Sequence, residues 1–152
     1  MPTQKLQDYL DQHEIRYVTI SHSPAYTAQR IAELTRIPGK ELAKTVIVKI
    51  DDKFAMAVLP ASRRVNLRHM QEAIGADDVT LSSEEEFREL FPDCEVGAMP
   101  PFGNLYDIGV YVAEQLTEDD EIAFNSGTHS ELVQMSYRDF ANLVTPQVVA
   151  LT

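Results

Sequence analysis

Three short stretches carry residue types from which a small-molecule site can be built. The first is LAKTVIVK (42–49), where Lys44 opens a strongly apolar run. A lysine there either snorkels at a strand end or holds a phosphate or ester oxygen as a point charge. The second, VGAMPPFGN (96–104), sets two glycines and a proline pair inside nine residues. Gly97 permits close backbone approach, while Pro100 and Pro101 fix φ and supply no N–H donors. This stretch is either a proline-stiffened turn or a main-chain wall. As a wall, its remaining amides suit an oxyanion developing on an acyl carbon, each donor contributing roughly 100- to 1,000-fold in rate. The third is FNSGTHSEL (124–132), a glycine-centred loop. Its His129 is either simply solvated or binds a ribose hydroxyl or orients a water.

Other chemistries find less support. His13, His22, His69 and His129 show no ligand spacing, and the single Cys94 lacks a cysteine partner, so no metal is expected. Cys94 follows Pro92-Asp93 and reads as a half-buried structural thiol rather than a nucleophile. The chain has neither a Walker A sequence nor a Gly-x-Gly-x-x-Gly fingerprint, and no cofactor is expected. Ser126-Gly-Thr-His129 places hydroxyls beside an imidazole, but sequence neighbours rarely form a triad, which argues against serine hydrolysis.

The 152 residues suit one domain around a single core, and no apolar run approaches the roughly 20 residues a membrane span needs. The N-terminus lacks the basic-then-apolar order of a secretory signal, and one cysteine fits a reducing cytoplasm. A net charge of −11 argues against a nucleic-acid partner, yet its distribution does not. Residues 30–68 hold nine of the 13 basic side chains and four of the 24 acids, a local +5 against −16 elsewhere. Arg30, Arg36, Lys40, Arg63, Arg64 and Arg68 are therefore either solvated element ends or a cationic face for phosphates.

These stretches need elements to position them. A short amphipathic helix is predicted over 3–13 and a strand over 16–21. Thr27 is placed to cap AQRIAELT, which stops before Pro38-Gly39. Residues 44–50 and 54–60 read as a hairpin turning at Asp51-Asp52-Lys53. Asn66 caps a helix ended by Gly75, and SSEEEFRELF (82–91) is a further helix closed by Pro92. Strands follow at 106–114 and on either side of the loop 125–130, then a helix, YRDFANLV, and a short strand, QVVAL. The expected fold is α+β, with a mixed, curved, barrel-like central sheet flanked by helices and possible closure into a barrel.

HSPAYTAQRIAEL, LAKTVIVK, the segment Gly97-Ala98-Met99-Pro100-Pro101-Phe102-Gly103 and SGTHSEL, in this order, resemble the YbaK/prolyl-tRNA-synthetase-associated domain family of trans-editing aminoacyl-tRNA deacylases. The resemblance runs the length of the chain and fits a free-standing member. It implies hydrolysis of the ester joining a mischarged small amino acid (alanine, cysteine or serine) to the terminal adenosine of a tRNA, with tRNA(Pro) foremost. It also implies Lys44 as the lysine required for activity, Gly97 as the pocket-wall glycine and His129 as the histidine of the Gly127-Thr128-His129 loop. Carried over in the same way, His22, Thr27, Ala98, Met99, Pro100, Phe102, Gly103, Gly127 and Thr128 line the substrate, although a helix cap explains Thr27 equally well. The basic residues would hold the acceptor end, and a prolyl-tRNA synthetase or other translation factor is a candidate partner. Ala98, Met99 and Pro100 depart from the family pattern, in which relatives often carry Ser or Thr. A non-catalytic module that binds tRNA or a synthetase is the alternative of another class; DNA binding has only the basic segment behind it.

Overall fold

The structure, a computed structural model, describes residues 3–152. Short polar caps start most of the helices. In α1 (Gln4–Gln12) the Thr3 hydroxyl accepts from the Leu6 amide; in α2 (Ala28–Thr35) the Thr27 hydroxyl accepts from the Arg30 amide. Asn66 caps α3 (Leu67–Ile74) in the same way, and Gly75 ends it. Ser83 and Glu86 form a reciprocal capping box on α4 (Glu84–Phe87), and Ser136 caps α5 (Tyr137–Val144). Each cap satisfies amides that a helix start leaves without partners. The helix expected over 82–91 is shorter than its composition suggests: α4 makes one turn and tightens into a 3₁₀ turn at Arg88–Leu90.

The strands form two sheets. β1 (Tyr17–Ser21), β7 (Glu131–Ser136) and β6 (Glu121–Asn125) make a three-stranded antiparallel sheet with β7 in the middle. The second sheet runs β4 (Val79–Leu81), β2 (Ala43–Ile50), β3 (Lys53–Pro60), β5 (Gly109–Ala113) and β8 (Gln147–Val149). It is mixed: β2 pairs antiparallel with β3 and β4, while β3–β5 and β5–β8 are parallel. Asp51 and Asp52 both take positive φ, the mirror-image turn whose twist matches the flanking strands. The α+β class holds, but the sheet does not close. One parallel bridge, Leu42 to Ala123, joins the two sheets, supported by the Ala123 amide on the Glu41 carbonyl at 2.9 Å.

The main core lies between the sheets. Phe102, Phe124 and Phe140 pack with ring centroids 5.5–6.4 Å apart, surrounded by Leu6, Leu10, Met56, Leu116 and Met135. Val48, Leu59 and Met70 fill a second cluster on the outer face of the larger sheet, under α3. A third, with Ala25, Ile31, Leu42, Ala123 and Leu132, buries α2 where the two sheets meet. That third cluster fixes the HSPAYT segment against β6 and β7, and so against the loop between those strands.

Candidate functional site

The loop 126–130 joining β6 to β7 is stitched to the segment 95–99. The Glu95 amide donates to the Gly127 carbonyl (2.7 Å), and the Gly127 amide donates to the Ala98 carbonyl (2.9 Å). The Glu95 carboxylate accepts from the His129 amide at 2.8 Å. His129 then lays its ring beside Gly97. Its Nε2 is 2.8 Å from the Val96 carbonyl, and a Cβ placed on Gly97 would stand 3.5 Å from the ring's Cε1. Gly97 has φ +88°, a conformation that L side chains adopt only with strain. Two regions some 30 residues apart in sequence thus share one surface, held largely by main-chain hydrogen bonds.

A third segment closes this cluster. The His22 amide donates to the Ser130 carbonyl (2.9 Å) and the Ala25 amide to the His129 carbonyl (3.0 Å), continuing the β1–β7 ladder past Ser21. Tyr26 packs against the His129 ring with centroids 4.8 Å apart. Several polar atoms here are buried with no partner among the described residues: His22 Nε2, Asn125 Oδ1, Thr128 Oγ1 and His129 Nδ1. A carbonyl can only accept, so His129 Nε2 donates to Val96 and Nδ1 is the ring nitrogen left over; in the neutral ring it carries a lone pair. The same logic applies to His22, whose Nδ1 faces the Ser23 carbonyl at 2.7 Å. Buried polar atoms without partners are costly in a finished fold and are a common mark of a place where a ligand or water sits.

Lys44 is the second residue of β2, two positions beyond the Leu42–Ala123 bridge. The bridge is parallel, so β2 and β6 leave it in the same direction: β2 reaches Lys44 as β6 reaches Asn125 and the loop. Lys44 is half-buried and forms no ion pair among the described residues. Burial holds its ammonium below the ordinary lysine range, and the nearby Arg64 guanidinium pushes the same way. Two adjacent cations without a counter-anion make a suitable seat for a phosphate or carboxylate.

Expected wall residues separate into two groups. Gly97 is exposed, and its amide faces only the Met99 thioether at 3.3 Å, a weak acceptor that an oxyanion can displace. The Ala98 and Phe102 amides donate instead to the Glu95 and Pro100 carbonyls, which removes them as oxyanion donors. Met99 and Pro100 are buried. Phe102 is fully buried in the aromatic core, and a Cβ on Gly103 would stand 2.5 Å from the Ile108 carbonyl oxygen. Both therefore serve packing rather than a pocket surface. Thr27 acts as the cap of α2, with its hydroxyl accepting from Arg30 at 3.2 Å.

The basic residues also divide. All six are exposed, but Arg30 pairs with Glu33 at 3.1 Å and Arg68 with Glu72 at 3.6 Å. Arg36, Lys40, Arg63 and Arg64 form no ion pair among the described residues. Lys40 and Arg63 line a cavity of about 410 Å³ with Ser62, Gln115, Glu118 and Asp119. A cleft of about 470 Å³, lined by Arg16, Tyr17, Gln134 and Asp139 among others, lies at the end of the smaller sheet away from the 126–130 loop. Neither cavity is lined by Lys44, Gly97 or His129. Cys94 is unsuited to nucleophilic work, because burial pushes its thiol up to about 11. Among the described residues no three His, Cys, Asp or Glu side chains gather to hold a metal, and no helix is long and apolar enough to cross a membrane.

Sequence reasoning missed two contributors. Glu95 clamps the His129 amide across 34 residues, which no local pattern announces. Tyr26 had a local signal, an aromatic inside the turn-forming run Ser23-Pro24-Ala25-Tyr26-Thr27.

A family model described as an aminoacyl-tRNA editing domain matches residues 22–143. Proline--tRNA ligase of Bacillus cytotoxicus is 32% identical over 82 residues, covering 54% of this chain and 14% of the ligase. The enzyme of the same name from Macrococcus caseolyticus is 25% identical over 130 residues, covering 78% of this chain and 22% of the ligase. The chain thus matches about a fifth or less of the length of these curated relatives. Among solved structures, hypothetical protein APE2540 superposes with TM-score 0.86 at 23% identity, covering 97% of this chain and 99% of that one. A structure described as a candidate trans-editing enzyme for prolyl tRNA synthetase gives TM-score 0.82 at 21% identity, with coverages of 99% and 96%. At these identities the likeness is one of fold.

Proposed function

The chain belongs to the aminoacyl-tRNA editing domain family, and on that premise we propose that it is a trans-editing deacylase acting on a mischarged small amino acid. Alanine, cysteine and serine are the candidate acyl groups, and tRNA(Pro) is the first tRNA to test. The reaction is hydrolysis: water adds to the ester carbonyl, the bond to the ribose oxygen breaks, and free amino acid and an intact 3′ end are released. An aminoacyl ester is already activated, so positioning and charge stabilisation suffice without a protein nucleophile.

The observation that carries this proposal is the His129 ring held against the exposed, left-handed Gly97 by the Val96 carbonyl. In the proposed roles, the Gly97 amide exchanges the Met99 thioether for the developing oxyanion. The His129 Nδ1, buried in the free protein, is uncovered as substrate binds and then accepts from the attacking water or from the ribose hydroxyl. Lys44, with Arg64 behind it, holds the terminal phosphate. Arg36, Lys40 and Arg63 extend this charge toward the acceptor stem, so binding should weaken steeply with salt. The site of action is the cytoplasm, and a prolyl-tRNA synthetase is a candidate partner.

The test is a panel of purified aminoacyl-tRNAs, correct and mischarged, scored for released amino acid. Release from a mischarged small residue, with correctly charged tRNA(Pro) spared, supports the assignment. Retention of the charged tRNA in a gel shift with no release from any substrate would replace the deacylase with a binding module.

A further inference from the structure

Tyr26 is 76% exposed, the most exposed of the large apolar side chains described. It is not loose. On one side the Ala25 side chain is buried and its amide is bonded to the His129 carbonyl. On the other, Thr27 is fixed as the cap of α2. These anchors fix the backbone on both sides of Tyr26, so its side chain leaves the chain on the solvent side. The ring meets His129 at an interplanar angle of 53°, which leaves most of its surface in solvent. Its hydroxyl has no hydrogen-bond partner among the described residues.

Exposing an aromatic ring in this way forgoes burial that folding would otherwise gain. The surroundings narrow the reason. Ser21, Ser23, Pro24, Thr27, Gln29 and Arg30 are all exposed, so Tyr26 is a single flat apolar surface within a largely polar rim. A protein interface would extend that surface into a larger patch. A rim of this kind instead suits a ligand with a flat π face and a polar edge, which describes a nucleobase.

We propose that Tyr26 is the stacking platform for the 3′-terminal base of the aminoacylated RNA. This rests on the proposed deacylase site, because only one ribose separates the ester from the base. With the ester at Gly97 and His129, the base lies within reach of the ring that packs on His129. Stacking there registers the ester against Gly97 and tolerates any base, because every base has a π face. Tyr26 is thus a positioning residue for the terminal nucleotide, not a catalytic one.

The experiment uses the full chain and an uncharged acceptor-stem RNA ending in CC followed by 2-aminopurine, whose fluorescence falls on stacking. Wild type and Tyr26→Phe should quench it on binding. Tyr26→Ala should bind without quenching and about 5- to 150-fold more weakly. An RNA with an abasic terminal position should bind wild type as weakly as Tyr26→Ala binds the intact RNA. With charged RNA, Tyr26→Ala should raise KM while kcat stays within about threefold, since stacking is lost from ground and transition states alike. Equal quenching by Tyr26→Ala and wild type, or no quenching by wild type, overturns the proposal even if deacylation is intact. Quenching that depends on Tyr26 in a protein that releases no amino acid upholds the platform and removes the deacylase. A melting temperature close to wild type checks that the exposed substitution leaves the fold intact.

Discussion

Lys44 and Lys49 stand five residues apart on one strand and occupy opposite electrostatic situations. Lys49 reaches across to Glu86 on α4, and the pair raises the lysine and lowers the carboxyl to about 2. Glu86 also closes the capping box with Ser83, so both charges are satisfied and tied to a helix start. Lys44 has no carboxylate; its neighbour is Arg64, and burial presses it toward the neutral form. One end of β2 is finished as structure, and the other holds a cation that the fold alone leaves without a counter-charge. Such an imbalance, on a strand that leaves the Leu42–Ala123 bridge in the same direction as β6, fits the anion seat proposed there.

The sharpest test of that contrast is a pair of alanine variants. Lys44→Ala should lower kcat/KM for deacylation by about 100-fold or more, the scale of removing one partner of a half-buried charge pair with the terminal phosphate. Lys49→Ala should leave it within about twofold. Equal losses would erase the distinction between the two ends of the strand.

Gly97→Ala comes next. The new methyl would meet the His129 ring at 3.5 Å while the backbone stays at φ +88°, at a cost of roughly 1–2 kcal/mol. Deacylation should fall by about tenfold or more, mostly in kcat, with a measurable loss on thermal melting. Glu95→Gln should have a smaller effect, a few-fold in kcat, because a neutral oxygen still accepts from the His129 amide more weakly.

Stability should move in opposite directions at the two lysines. The folded-state pKa of Lys44 is lowered, so the folded protein holds that proton less tightly than the unfolded chain does. At neutral pH its charge therefore costs stability, which returns only as pH rises toward the ordinary lysine range. Lys44→Met should melt at or above the wild-type temperature while inactive. For Lys49 and Glu86 the signs are reversed. The raised lysine contributes below its unfolded pKa. The lowered carboxyl contributes above its unfolded value near 4.5, and that contribution fades as pH falls toward 2. Glu86→Gln should lower the melting temperature slightly at pH 7, and added salt should shrink the difference, because the pair is exposed. This is the smallest effect of the set, read by melting at two ionic strengths.

Local structure was largely legible in the sequence because its causes are local. Thr27, Asn66 and Ser83 sit where helices need acceptors, and Asp51-Asp52 between two apolar runs makes the hairpin turn. Mistakes arise where the partner is distant. β4 went unforeseen because three residues beside Asp77-Asp78 become a strand only by pairing with Val48, Lys49 and Ile50. The strand expected over 106–114 begins at Gly109, since the preceding residues turn, with Asp107 at positive φ. A single curved sheet was expected, yet sequence alternation says which face is apolar and nothing about which strands pair; two sheets and one bridge resulted.

The same division runs through the site. Residue types and order were enough to single out Lys44, the glycine-proline segment and the Gly-Thr-His loop, because a cation, a Cβ-free backbone and an imidazole carry their chemistry in their covalent structure. Only the tertiary structure decided that Gly97 faces His129 while Phe102 and Gly103 turn into the core, that Glu95 holds the loop, and that Tyr26 is kept in solvent. Those outcomes depend on contacts between segments tens of residues apart. Such contacts are selected by the packing of the whole chain, not by the preferences of any short stretch.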